Sequence, residues 1–171
     1  MIKSTAFFLI FTFLTSCVSV RSNSKTHQEA SFRKILVLLL DSSHDVRDSQ
    51  RFLKACPEGY SLCTVSRSQE LAFDSVDSFI TKENKVCQAD VVMIVKRTGD
   101  IIQQNSYGAT RVTGNEYSVE LQTLPDQQAF WKASIRSEGT NLVPARTIFK
   151  RLIQDGWIHT NQLHLEAGPK H

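Results

Sequence analysis

The chain has no apolar run long enough to cross a membrane: about 20 residues are needed for ~30 Å of hydrocarbon, and Ala6 to Leu14 stops far short. Glycine is scarce; the seven glycines are scattered and form no phosphate-cradling loop. There is no HExxH, no paired Cys/His zinc spacing and no CxxC, which argues against zinc hydrolase and thiol-redox chemistry. His159 and His164 sit five apart, off one helical face and on opposite faces of a strand. Excess charge is also missing. Twenty Lys and Arg against 17 Asp and Glu give +3, too little to imply nucleic acid or an anionic surface as the main partner. The expectation is a protein without metal, cofactor or nucleic acid. Its 41% hydrophobic and 22% charged residues suit one globular domain plus an appendage.

What is present begins at the N-terminus. One cation, Lys3, precedes the short apolar run, and small residues follow it. That order matches an export signal. Leu14-Thr15-Ser16-Cys17 resembles the bacterial lipobox, in which an aliphatic residue and two small ones precede the lipidated cysteine. The resemblance implies a signal peptide over 1–16, cleavage before Cys17, and acyl chains (palmitate among them) on its thiol and amine. Two or three chains make a durable anchor where one does not. Cleavage would remove one cation and leave 19 against 17, or +2. Val18, rather than an acid, follows Cys17; in such lipoproteins this fits the outer-membrane route, facing the periplasm.

Residues 17–33 are rich in Ser, Asn and Gln with mixed charge, and read as the lipidated cysteine and a flexible tether of roughly 20 Å reach. A domain is expected over 34–158, with a tail over 159–171. Ile35 to Leu40 is a continuous apolar run, as in a strand covered on both faces. Ser42 and Asp45 have a helix-start spacing, with Val46, Phe52 and Leu53 expected inward. Tyr60 to Val65 reads as a short strand. Ser66 and Gln69 have the spacing of a second capping box, and a helix carrying Ala72, Phe73, Val76, Phe79 and Ile80 fades over Thr81 to Lys85. Ala89 to Val95 is a second buried strand, and Ile101 to Val112 one ragged strand broken at Gly108. Alternation then sets Tyr117, Val119 and Leu121, and later Trp131, Ala133 and Ile135, on one face; Phe130 and Lys132 fall on the wet face. A last helix opens near Gly139 and carries Ala145, Ile148, Phe149, Leu152 and Ile153. A short strand at Gln162 to Glu166 is also expected. The class is α+β with an α/β-like start: one β-α-β-α-β-meander-α domain with a mixed sheet.

The opening strand, Ala89-Asp90-Val91-Val92, the hairpin Tyr117 to Ile135 and the closing helix together resemble the small α/β domain of TolB amino-terminal and CsgG-like envelope proteins. The resemblance covers residues 34 to 156. It implies an adaptor that binds other envelope proteins without catalysis.

Few residues look chemical. Asp41-Ser42-Ser43-His44-Asp45 holds a serine, a histidine and acids at a strand's carboxyl end, the core of an alternative reading as a small envelope hydrolase centred on His44. Five adjacent residues cannot easily aim at one another, and helix capping explains them better. Of the cysteines, Cys56 and Cys63 bracket a turn, which favours their pairing slightly; Cys56 with Cys87 is nearly as good. One bond would leave one thiol over. Arg146, Lys150 and Arg151 line the outer side of the last helix and, with Phe130 and Lys132, are the partner-binding candidates. The sequence thus favours a non-enzymatic adaptor for envelope proteins in secretion, transport or cell-wall machinery. Alternatives are the hydrolase and a glycan-binding module for peptidoglycan.

Overall fold

A computed structural model describes residues 18–25, 31–42, 44–68, 72–124, 126–139 and 142–159. Its elements run β1 (Val18–Ser24), β2 (Lys34–Leu40), α1 (Asp45–Ala55), β3 (Ser61–Arg67), α2 (Val76–Cys87), β4 (Val91–Gln104), β5 (Thr110–Thr123), β6 (Ala129–Glu138) and α3 (Ala145–Gln154). The strands form one mixed sheet in the order β1-β6-β5-β4-β2-β3. This is the expected α+β domain. β2 is parallel to both β3 and β4, and β4, β5, β6 and β1 follow antiparallel.

The handedness of crossovers explains where the helices lie. The chain steps from β2 outward to β3 through α1, then back past β2 to β4 through α2. Two right-handed crossovers in opposite directions put their helices on opposite faces. α1 and α3 accordingly share a core with Val37, Met93, Val119, Trp131 and Ile135, in which Phe52, Ile148, Phe149 and Leu152 are buried. α2 buries Ile80 and Cys87 on the other face, against Leu36, Leu38 and Val92. One helix is about 10 Å across and strands are ~4.8 Å apart, so α2 covers only about two strands. Among the described residues, nothing covers β5, β6 and β1 with a helix on that side.

Several expectations are corrected. Residues 18–24 are not tether but strand β1, paired along β6 from Val18↔Ser137 to Ser24↔Trp131. Val18 and Val20 pack against the core, so residues 18–24 belong to the folded unit, ahead of residue 34. In α1, Phe52 is buried as expected, but Val46 and Leu53 are exposed and Asp48 takes the inward place. Ser66 caps nothing, because it lies in β3; Ser75 caps α2 by accepting from the Ser78 N–H, and α2 continues through Thr81–Lys85 to Cys87. Phe73 precedes that helix and is fully exposed. The last helix starts at Ala145, five residues later than Gly139–Thr140 suggested. The single ragged strand is instead two strands, β4 and β5, which pair as far as Gln104↔Thr110. The strand expected at 162–166, the signal segment and Cys17 all lie outside the described residues.

The disulfide joins Cys63 to Cys87, with Cα atoms 6.0 Å apart, and Cys56 is free. One bond with one thiol left over was expected, but both favoured pairings were wrong. The sheet is the reason. Cys63 and Cys87 face the α2 side, whereas Cys56 ends α1 on the opposite side. Gly114 marks another constraint of close packing: a Cβ there would come within 2.1 Å of the Ser137 carbonyl oxygen.

Candidate functional site

The bare half of the sheet was the first candidate surface. Lys132 is there and exposed, but its ammonium lies 3.0 Å from Glu120. Arg136, four residues along, lies 3.1 Å from Glu138 and 3.9 Å from Glu116. The cations of this face are thus already opposed by cross-strand or neighbouring acids, each pair worth ~0.2–1 kcal/mol in water.

Phe130 is not on this face. Leu121 pairs with Trp131 and Gln122 with Ala129, so Phe130 is an extra residue at a β-bulge. The bulge turns Phe130 and Trp131 into the same core, and both are buried. Phe130 packs 4.7 Å from the Trp157 ring and 6.3 Å from Phe32. Strict alternation cannot bury two adjacent aromatics, and that conflict was the sequence signal for a bulge.

The three cations of the last helix separate. Arg146 and Lys150 are exposed. Arg151 is turned into a structural network: its Nε donates to Ser22 Oγ at 2.8 Å and lies 3.1 Å from Asp155 Oδ1. Asp155 Oδ2 also accepts from Ser22 Oγ at 2.6 Å and from Trp131 Nε1 at 2.8 Å. Burial alone would raise the Asp155 pKa; bonds from Ser22 and Trp131 and the Arg151 charge outweigh it and hold the carboxyl below its usual range. This network ties β1 to α3 and β6. Arg151 therefore has a positioning role for β1.

At the carboxyl end of β2, His44 stands at the start of α1. Its N–H donates to Ser42 Oγ at 3.1 Å and its carbonyl accepts from the Asp48 N–H. Ser42 donates to Asp48 Oδ2 at 2.7 Å, and Asp48 Oδ1 accepts the Val143 N–H at 3.0 Å. Asp48 is thus a buried acid spent on joining α1 to the segment before α3. The space beside Ser42 and Asp48 is about 10 Å³, room for one water. Cys56 points its thiol at the Tyr60 carbonyl, 3.4 Å away, and burial pushes its pKa up. Both effects disfavour the thiolate a nucleophile requires.

The feature missed in the sequence is an arm. β4 and β5 pair on past the end of β6, where Gly114 meets Glu138 and Ile101. From Ile102↔Val112 to the tip, the hairpin has no third strand among the described residues, a projection of roughly 13 Å at ~3.3 Å per residue. The Asn105 carboxamide oxygen accepts the Tyr107 and Ala109 N–H groups, and Gly108 takes φ +80° to close the turn. Asn105 and Gly108 were the signal for a hairpin tip. Ile102 is 62% exposed, its cross-strand partner Val112 47%, and Tyr107 at the tip 94%. The arm leaves the sheet at the end where β1 begins, since Val18 pairs with Ser137 and Ser137 with Asn115.

No protein-family model matches this chain, and no curated protein matches it. Solved structures similar in fold include the PelC dodecamer from Paraburkholderia phytofirmans, at 12% identity and a TM-score of 0.41, covering 81% of this chain and 94% of that one. Lipoprotein GNA1162 from Neisseria meningitidis matches at 9% identity and 0.38, covering 72% and 96%. TolB from Acinetobacter baumannii matches at 12% identity and 0.31, covering 78% of this chain and 28% of that one. The likeness is of coarse fold, found in a lipoprotein and in TolB among others, and no function is drawn from it.

Proposed function

We propose that this chain is a lipid-anchored adaptor of the bacterial envelope, held by acyl chains on Cys17, facing the periplasm from the outer membrane, and binding a protein partner without catalysis. The observation that carries this reading is the β4–β5 arm. Ile102 and Val112 pair across it, and Tyr107 tops it, all exposed on a hairpin with no third strand. Exposed apolar side chains on a projecting element gain from being covered, at ~25 cal/mol per Å² of apolar surface. Tyrosine and similar anchors dominate protein interfaces. The partner surface is thereby moved from Phe130 and Lys132 to the arm.

The test replaces the native gene with Ile102→Ser/Tyr107→Ser or with His44→Ala, each checked for membrane level. Co-purification from solubilised membranes should lose a partner in the arm variant and keep it with His44→Ala. If the arm variant keeps every partner and the phenotype while His44→Ala loses the phenotype, a hydrolase at His44 replaces the adaptor. The anchor is checked separately: Cys17→Ser should abolish palmitate incorporation.

A further inference from the structure

Between α1, the end of β6 and the start of α3 lies an open groove of about 390 Å³. Val18, Arg51, Lys54, Ser137, Pro144, Ala145, Arg146 and Thr147 line it, with three cations and no acid among the described residues. Among the described residues none of the three cations is in an ion pair. Two further features belong to the same groove. The N-terminal end of α3 opens on it, with no acid in the first turn to neutralise the helix dipole. Ser137 is 0% exposed, on the strand face turned to α1 and α3, and its Oγ has no hydrogen-bond partner among the described residues. A hydroxyl left unbonded at such depth is costly unless something completes it.

We infer that this groove binds a phosphate group, with Arg51, Lys54 and Arg146 supplying charge, the α3 terminus its dipole, and Ser137 Oγ a hydrogen bond. A tetrahedral oxyanion uses all of these; a carboxylate or a neutral sugar leaves part of the charge unmet. The location bears on the source. Val18 lines the groove, and it directly follows in sequence the residue that carries the acyl chains in the proposed function. A phospholipid headgroup beside the anchor and a soluble phosphate ester share the chemistry. Phosphate binding itself does not depend on the lipid anchor; only the headgroup source does.

The experiment uses the full lipidated protein in maltoside detergent and phosphate-free buffer. It is titrated with inorganic phosphate, with dihexanoyl phosphatidylglycerol, and with dihexanoylglycerol, which lacks the phosphate. Binding is read by calorimetry and by phosphorus NMR. At least one phosphate-bearing probe should bind and dihexanoylglycerol should not. Arg51→Gln/Lys54→Gln/Arg146→Gln should weaken binding roughly tenfold or more. Ser137→Ala should weaken it roughly 3–10-fold without lowering the melting temperature of the free protein, because no bond is lost there. Tighter binding of the phospholipid than of phosphate assigns the headgroup; equal binding assigns a soluble phosphate. Absence of binding by both at millimolar concentration, or undiminished binding in the triple variant, overturns the inference. Failure of palmitate incorporation would sink the anchor and leave these titrations unaffected.

Discussion

In the half of the sheet made by β3, β2 and β4 the strands are parallel and helices cover both faces; in the half made by β5, β6 and β1 they are antiparallel and helices cover one. The same backbone ladder therefore asks different things of its side chains. β2 is buried from Ile35 to Leu40 without a break, whereas β6 alternates from Trp131 through Ser137. Mutational cost should follow coverage, not strand membership. Leu38→Ala, facing α2 with no exposure, should cost about 2–5 kcal/mol. Ser134→Ala on the bare face should stay within about 0.5 kcal/mol. Urea unfolding of both variants checks this, and equal costs would break the distinction.

The disulfide belongs to the doubly covered half. It closes a separation of 24 residues between β3 and the end of α2, so Cys63→Ser/Cys87→Ser should lose about 3 kcal/mol. The oxidised protein should titrate with one thiol, Cys56, among residues 18–171. Three titrating thiols would contradict the pairing.

The other half depends on polar ties instead. Asp155→Ala removes the acceptor shared by Trp131, Ser22 and Arg151, at about 1–3 kcal/mol. Hydrogen exchange should show β1 loosening first. Because the Asp155 carboxyl is held below its usual range, its stabilisation is present above the unfolded pKa of about 4 and fades as pH falls through the lower folded value. The stability gap between wild type and Asp155→Asn should narrow on acidification over that range. On the bare face the effect is again small: breaking Lys132–Glu120 with Lys132→Ala should cost under about 1 kcal/mol, less still at high salt.

The two halves also differ in how far they could be read from sequence. Continuous runs such as Ile35 to Leu40 carry their own burial pattern, and of the expected stripe Ala145, Ile148, Phe149, Leu152 and Ile153 all but the exposed Ile153 are buried. The alternation of Tyr117, Val119 and Leu121 was legible too. Phe130 was misplaced because the bulge puts two adjacent residues, Phe130 and Trp131, on one side, and one extra residue leaves little trace beyond the adjacent aromatic pair. β1 was missed because two valines among polar residues make a weak period; its fixation comes from Arg151 and Asp155, more than 120 residues away. The disulfide depended on which side of the sheet each helix crosses, which cysteine spacing does not encode. The groove escaped notice for the same reason: Arg51, Ser137 and Arg146 come from three separate elements.

The account turns on the arm as the contact with a protein partner. A photo-reactive amino acid placed at Tyr107 in the full chain, in living cells, tests it directly, with the same probe at Ser134 on the bare face for comparison. The account predicts a discrete crosslinked protein from position 107 and little or none from 134. Crosslinks from 134 with none from 107 would contradict it and return the partner surface to the open sheet.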